Sequence, residues 1–150
     1  MRLPVDAERQ AVTQYLNGFV MQDLTEAKAA YVQTFDLTPE HAMHLTHHLF
    51  GDDKNRGPAL IDLTEYYKQY GFEITPSDGS FTELPDYLPL VLEFAAQLEP
   101  EEARMFLSQW NKVLNQLAAN LEKADSPYAP LVRLVEQHSR LVQPAAEATA

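Results

Sequence analysis

The chain has 150 residues, enough for one domain with a buried core, and 45% of them are hydrophobic. Its formal net charge of −11 argues against nucleic-acid and anionic-lipid partners and favours basic ones. Cysteine is absent, which excludes disulfides and thiolate metal sites, and the sequence shows neither a bilayer-length apolar run nor a signal segment; we therefore expect a cytoplasmic protein.

Helical periodicity dominates the first half of the chain. Apolar side chains recur at helix spacing in four segments, which predict helices over 6–21, 25–36, 38–51 and 57–71. Thr38 and Pro39 are typical of a helix start, and Gly51 is typical of a helix end. Residues 72–82 are rich in turn formers and are predicted to be a loop.

The second half continues in the same way. We expect one helix to begin between Leu84 and Asp86, a long one to run from Pro100 to Leu121, and a final one to start at Ser126. No segment alternates with a two-residue period. The sequence thus predicts an all-α, single-domain bundle of about six or seven helices over residues 1–142, followed by a disordered tail at 143–150.

Four of the five histidines are concentrated in eight residues: His41, His44, His47 and His48. On a continuous helix, His44 and His48 are one turn apart, a spacing that can chelate a divalent metal. The HExxH pattern is absent, so a polar helix face with hydrogen-bonded histidines is the simpler interpretation. A small metal-dependent enzyme and a purely scaffolding helical oligomer are the two alternatives to a binding protein.

Residues 51–58, GDDKNRGP, form a glycine-containing loop before a helix, a setting that can bind phosphate. The order of a phosphate-binding loop is missing, and Asp52 and Asp53 oppose an anion. A helix–helix turn in which Gly51 caps one helix and Arg56 reaches a carboxylate explains the same residues.

Residues 81–98, FTELPDYLPLVLEFAAQL, combine a rigid, acidic start with an apolar run. Prolines are tolerated in a first helical turn, and the negative charge of an acid there interacts favourably with the helix dipole. On the predicted helix, Asp86, Leu90, Glu93 and Gln97 share an exposed stripe, and Glu83 lies just upstream. Acids beside exposed apolar groups suit a basic amphipathic segment of a partner.

These residues resemble the NarJ family, the nitrate reductase delta subunits or molybdenum cofactor assembly chaperones, within the wider TorD/DmsD group of redox-enzyme maturation chaperones. The specific element is ELPDYLPLVLE, residues 83–93. A second match is HLFGDDKNRGPALIDL, through His48, Gly51, Arg56, Gly57, Asp62 and Leu63.

The resemblance implies a cytoplasmic, non-catalytic, all-helical chaperone with no cofactor of its own. Its implied partner is the apo catalytic alpha subunit of respiratory nitrate reductase, bound through its N-terminal segment during molybdenum cofactor insertion and before membrane docking. Nucleic acid and direct membrane insertion are not expected, and the chain is expected to be a monomer or a weak homodimer. The implied partner-binding residues are Glu83, Leu84, Pro85, Asp86, Tyr87, Pro89 and Glu93, with Arg56 and Gly57 in a supporting loop.

Overall fold

The computed structural model describes residues 6–75 and 83–141, and every regular element within these ranges is helical. The α-helices are α1 (Asp6–Val20), α2 (Leu24–Tyr31), α3 (Leu45–Phe50), α4 (Arg56–Gln69), α5 (Leu88–Ala95), α6 (Pro100–Ser108), α7 (Asn111–Lys123) and α8 (Ala129–His138). The predicted all-α, single-domain fold is confirmed. The predicted tail at 143–150 lies outside the described residues.

Helix α7 supplies the centre of the core. Its apolar residues recur at helix spacing and are almost fully buried: Val113, Leu114, Leu117, Ala118 and Leu121. Helix α8 packs beside it and buries Ala129 and Val132. Burial of such side chains contributes about 25 cal/mol per Å² of apolar surface removed from water, so this pair of helices is a main source of stability.

An aromatic cluster joins α4, α5 and α6. The rings of Tyr67 and Phe94 lie 4.4 Å apart between centroids, and Phe94 meets Phe106 edge-on at 5.1 Å. Tyr66 stacks on Phe106 at 5.7 Å. Ring pairs at these distances stabilise the fold beyond the contribution of buried apolar surface, and they hold α5 against α4.

A buried carboxylate fastens α8 to the start of α7. Glu136 accepts hydrogen bonds from Arg140 Nη2 at 2.6 Å, Arg133 Nη1 at 2.8 Å and Asn111 Nδ2 at 2.9 Å. These bonds, that from Arg140 above all, lower the pKa of Glu136 to about 2. The carboxylate is therefore charged and fully paired at neutral pH.

The predicted helix over 38–51 is wrong in its first half. A 3₁₀ turn at Pro39–His41 ends in extended backbone at Ala42, and α3 begins only at Leu45. The reason is tertiary: the main chain around His44 pairs with the segment before α5 instead of continuing a helical ladder.

The predicted helix from Pro100 to Leu121 is two helices, α6 and α7. The Ser108 hydroxyl donates to the carbonyl of Met105 at 2.7 Å, a local bond that competes with helix propagation. This division brings the number of α-helices in the described residues to eight, one more than the upper prediction.

Helix α2 continues into a π-helical turn, Val32–Asp36, closed by a bond from Leu37 N to Val32 O at 3.0 Å. Side chains contact the backbone carbonyls of this turn: Thr38 Oγ1 donates to the carbonyl of Gln33 at 2.9 Å, and His41 Nδ1 lies 3.0 Å from the carbonyl of Thr34.

Within the described ranges, no helix combines the length and apolar character required to cross a bilayer.

Candidate partner-binding site

The segment that precedes α5 is fixed by main-chain pairing to the segment that precedes α3. Leu45 N donates to Asp86 O at 3.1 Å, and Leu88 N donates to Met43 O at 2.8 Å. His44 and Tyr87 face each other in the resulting antiparallel bridge. The acidic start of α5 is therefore anchored to a neighbour some forty residues away in sequence.

A buried polar network underlies this pairing. The Asp86 side chain is fully buried, and its Oδ2 accepts from Thr46 N at 2.9 Å and from Thr46 Oγ1 at 2.6 Å. Arg56 Nε donates in turn to Thr46 Oγ1 at 2.8 Å, and Arg56 Nη2 lies 3.9 Å from Asp86 Oδ2. The carboxylate that Arg56 was expected to reach is thus Asp86.

The predicted placement of Asp86 on an exposed stripe in the first turn of a helix is wrong. Helix α5 begins at Leu88 with Tyr87 as N-cap, and Pro89 lies in its first turn. Asp86 precedes the helix and points into the protein, because Thr46 supplies two donors there. Of the other three stripe members, Glu93 and Gln97 are exposed, as predicted, whereas Leu90 is half-buried against the core.

Pro85 is buried as well and serves as an acceptor. The hydroxyl of Tyr67, itself in the core, donates to the Pro85 carbonyl at 2.7 Å. Burial raises the pKa of Tyr67, and the nearby charge of Asp86 raises it further, so the hydroxyl stays protonated and able to donate. Both residues therefore belong to the frame under the surface.

Five predicted site residues reach the surface, and we call them the acidic face: Glu83, Leu84, Tyr87, Pro89 and Glu93. Leu84 is 40% exposed, and Pro89 and Glu93 are exposed on α5. Glu83 and Tyr87 are half-buried. The acidic face thus combines two carboxylates with apolar groups on a rigid base, as a basic amphipathic partner segment would require.

Three contacts hold the half-buried members of the acidic face, Glu83 and Tyr87. Glu83 Oε1 lies 3.0 Å from His44 Nε2, and the His44 ring lies 5.1 Å from that of Tyr87. The hydroxyls of Tyr87 and Tyr31 are 3.0 Å apart. Burial, followed by this hydrogen bond, raises the pKa of Tyr31. The orientations of Glu83 and Tyr87 are therefore set before any partner binds.

Arg56 and Gly57 do not form a surface loop. Both lie in the first turn of α4, where Arg56 is half-buried above Thr46 and Gly57 is exposed. Arg56 therefore contacts the Thr46–Asp86 pair beneath the acidic face, whereas Gly57 contributes no side chain.

Sequence reasoning missed four residues that hold the site: Tyr31, His44, Thr46 and Tyr67. Their partners are 56, 39, 40 and 18 positions away in sequence, respectively. Helical periodicity carries no information on such pairs. The one available signal was the concentration of polar residues in HAMHLTHH, residues 41–48, which includes only His44 and Thr46 of the four.

The histidines do not form the metal-chelating pair that the alternative of a metal-dependent enzyme requires. His44 precedes α3, outside the helix that holds His48, and it contacts Glu83. His48 Nε2 lies 2.7 Å from the carbonyl of Ala42, and burial lowers its pKa. Across residues 6–75 and 83–141, no group of three or more potential metal ligands is assembled.

Comparison with known proteins identifies relatives of this chain. The family model described as "Nitrate reductase delta subunit" matches residues 3–133. The "Probable nitrate reductase molybdenum cofactor assembly chaperone NarJ" of Bacillus subtilis (strain 168) is 42% identical over 105 residues, which are 70% of this chain and 54% of that protein. The "Nitrate reductase molybdenum cofactor assembly chaperone NarJ" of Escherichia coli (strain K12) is 36% identical over 123 residues, 79% of this chain and 50% of that protein.

A third relative, the "Nitrate reductase-like protein NarX" of Mycobacterium tuberculosis (strain ATCC 25618 / H37Rv), is 37% identical over 113 residues, 75% of this chain and 17% of that protein. The chain spans about half the length of the two NarJ proteins it matches. The family resemblance inferred from the motifs is confirmed. With a match to the family model over most of its length, the chain belongs to the nitrate reductase delta subunit family.

Proposed function

We propose that this chain is a non-catalytic chaperone that binds the apo catalytic subunit of a respiratory nitrate reductase. In this proposal it recognises the N-terminal segment of that subunit and holds it in a form competent for molybdenum cofactor insertion, in the cytoplasm and before membrane docking. The two NarJ relatives, both named as molybdenum cofactor assembly chaperones, support the assembly role. The main structural support for the proposal is the acidic face, which is held on the buried Thr46–Asp86 pair.

Charge gives the acidic face its preference for a basic partner. The whole chain carries a net charge of −11, and Glu83 and Glu93 lie at the face itself. Such a field raises the association rate of a positively charged segment and weakens as salt screens it. Rim carboxylates contribute more to rate and specificity than to final affinity.

Apolar contact and rigidity supply the rest of the binding energy. Leu84 is 40% exposed and Pro89, five residues later in the sequence, is exposed as well, so both are available for burial by a partner. Because Tyr87 and Glu83 are already held by Tyr31 and His44, little ordering is required when the partner binds. Preorganisation of this kind lowers the entropic cost of association.

Chemical-shift mapping by NMR tests this assignment. A synthetic peptide with the N-terminal sequence of the cognate nitrate reductase catalytic subunit is added to the isotope-labelled chain. We expect saturable shifts at the backbone amides of Glu83, Leu84, Tyr87 and Leu90, with little change in α7. Saturable shifts confined to other elements would show that the peptide binds elsewhere on the protein. The absence of any shift in a folded protein would contradict the proposed partner.

A further inference from the structure

The second half of helix α1 and the residues after it form an exposed apolar region with few charges. Residues 10–22 include no Asp, Glu, Lys or Arg, although 22% of the chain is charged. No residue of α1 is buried. Its C-terminal end and the start of α2 carry five large exposed apolar side chains, which we call the α1 patch: Leu16 (51%), Phe19 (41%), Val20 (71%), Met21 (85%) and Leu24 (61%).

A groove adjoins the α1 patch. It has a volume of about 390 Å³ and lies between α1 and the turn before α8, with Tyr15, Gly18, Phe19, Ala30 and Tyr128 among its lining residues. A Cβ atom added at Gly18 would meet nothing within 4 Å, which shows how open this space is. The patch thus presents protruding apolar side chains beside a recess that has room for one.

We infer that the α1 patch is the contact surface between two copies of this chain, related by a two-fold axis. In such an arrangement the same surface supplies both halves of the contact, so the protruding Met21 of each copy faces the recess of the other. The inference is independent of the proposed chaperone function, since the acidic face lies on α5 and the segment before it.

Charge selects this occupant over a basic client segment. Two copies each carrying −11 repel one another over most of their surfaces, and the uncharged stretch at residues 10–22 is where they approach at least cost. A basic segment finds few partners for its charge, because Asp125 is the single carboxylate lining the groove and Asp23 is the single one between Leu16 and Leu24 in the sequence. A largely uncharged apolar surface is best matched by another surface of the same kind.

The area of the patch fits a weak dimer. From their fractional exposures, the five side chains present about 600 Å² per copy, at the upper end of the patches found on monomers. Two copies would then bury about 1,200 Å², the lower limit for specific interfaces. We therefore expect a dimer that forms with increasing concentration and dissociates on dilution.

Sedimentation equilibrium over about 1 µM to 1 mM protein tests the inference, a range that spans weak affinities. The double variant Val20→Asn/Met21→Gln changes the patch without changing charge. Ile61→Asn/Met105→Gln is a matched control, since Ile61 and Met105 are each 64% exposed on other helices. We expect dimerisation that strengthens with salt, a dissociation constant raised at least about tenfold in the patch variant, and no change in the control.

Three results would overturn the inference. One is a wild-type chain that stays monomeric at every concentration and salt level. Another is dimerisation that the patch and control variants weaken equally. The third is a monomer whose patch variant instead loses affinity for the client peptide, which would assign the α1 patch to the client.

Discussion

Replacing Asp86 by alanine should destabilise the fold far more than replacing an exposed acid of the same region. The side chain is fully buried and receives both donors of Thr46, the amide and the hydroxyl. Each buried donor left without an acceptor costs about 1–3 kcal/mol, and removal of a charged acceptor is at the upper end of that range. Arg56 also loses its nearest carboxylate at 3.9 Å. We therefore expect a loss of about 3–5 kcal/mol.

Urea unfolding followed by circular dichroism at neutral pH measures this loss, with Glu93→Ala as the matched control. Glu93 is an exposed carboxylate on α5, and its replacement should change the unfolding free energy by less than about 0.5 kcal/mol. If Asp86→Ala is too unstable to study, Asp86→Asn retains an acceptor for Thr46. We expect that variant to lose about 1–2 kcal/mol, because its amide adds a donor where Asp86 Oδ1 has no partner in the described part of the chain.

Equal stabilities of Asp86→Ala and Glu93→Ala would refute the reasoning. That result would mean that Asp86 is solvated in the folded protein and that the segment before α5 is not held by Thr46.

Three further changes test other parts of the structure. The pKa of Glu136 falls from about 4.5 in the unfolded chain to about 2 in the folded protein, so its ionised carboxylate stabilises the fold by on the order of 3 kcal/mol above pH 4.5, and this stabilisation is lost as the pH falls towards 2. Glu136→Gln should therefore reduce the dependence of the unfolding free energy on pH in this range. A variant with the same pH dependence as the wild type would contradict this role. Gly18→Ala should raise the unfolding free energy by about 0.5–1 kcal/mol, because Gly18 lies inside α1 with space for a Cβ; a lower thermal midpoint would show that the helix is wrongly placed there. Zinc titration monitored by histidine NMR signals should give no saturable micromolar binding, since His44 and His48 have separate protein contacts; saturation would restore the metal-enzyme alternative.

Helix content could be predicted because the information is local. In α7, Val113, Leu114, Leu117 and Leu121 are buried at the spacing visible in the sequence. Pro100 and Gly51 also mark helix ends where the sequence placed them. Periodicity indicates which residues share a helix face, and the structure buries that face where it packs against the core.

The frame of the site could not be predicted because its contacts are distant in sequence. The Pro-Asp motif suggested an exposed acid at a helix start, and nothing near Asp86 in the sequence indicates that Thr46 supplies its donors. The broken helix before His44 has the same origin, since its main chain pairs with residues 86–88. Motif resemblance located the region of the acidic face, whereas tertiary contacts determined which of its residues reach solvent.

The central claim is that the acidic face binds a basic client segment. Calorimetric titration with the client N-terminal peptide, at low and high salt, tests it most directly. Glu83→Gln/Glu93→Gln is compared with Glu93→Gln alone and with Glu101→Gln, an exposed acid on α6. The account predicts wild-type binding that weakens with salt, a loss of affinity and of salt dependence in the double variant, and wild-type behaviour for Glu101→Gln. Wild-type affinity and salt dependence in the double variant, with the fold intact, would contradict it.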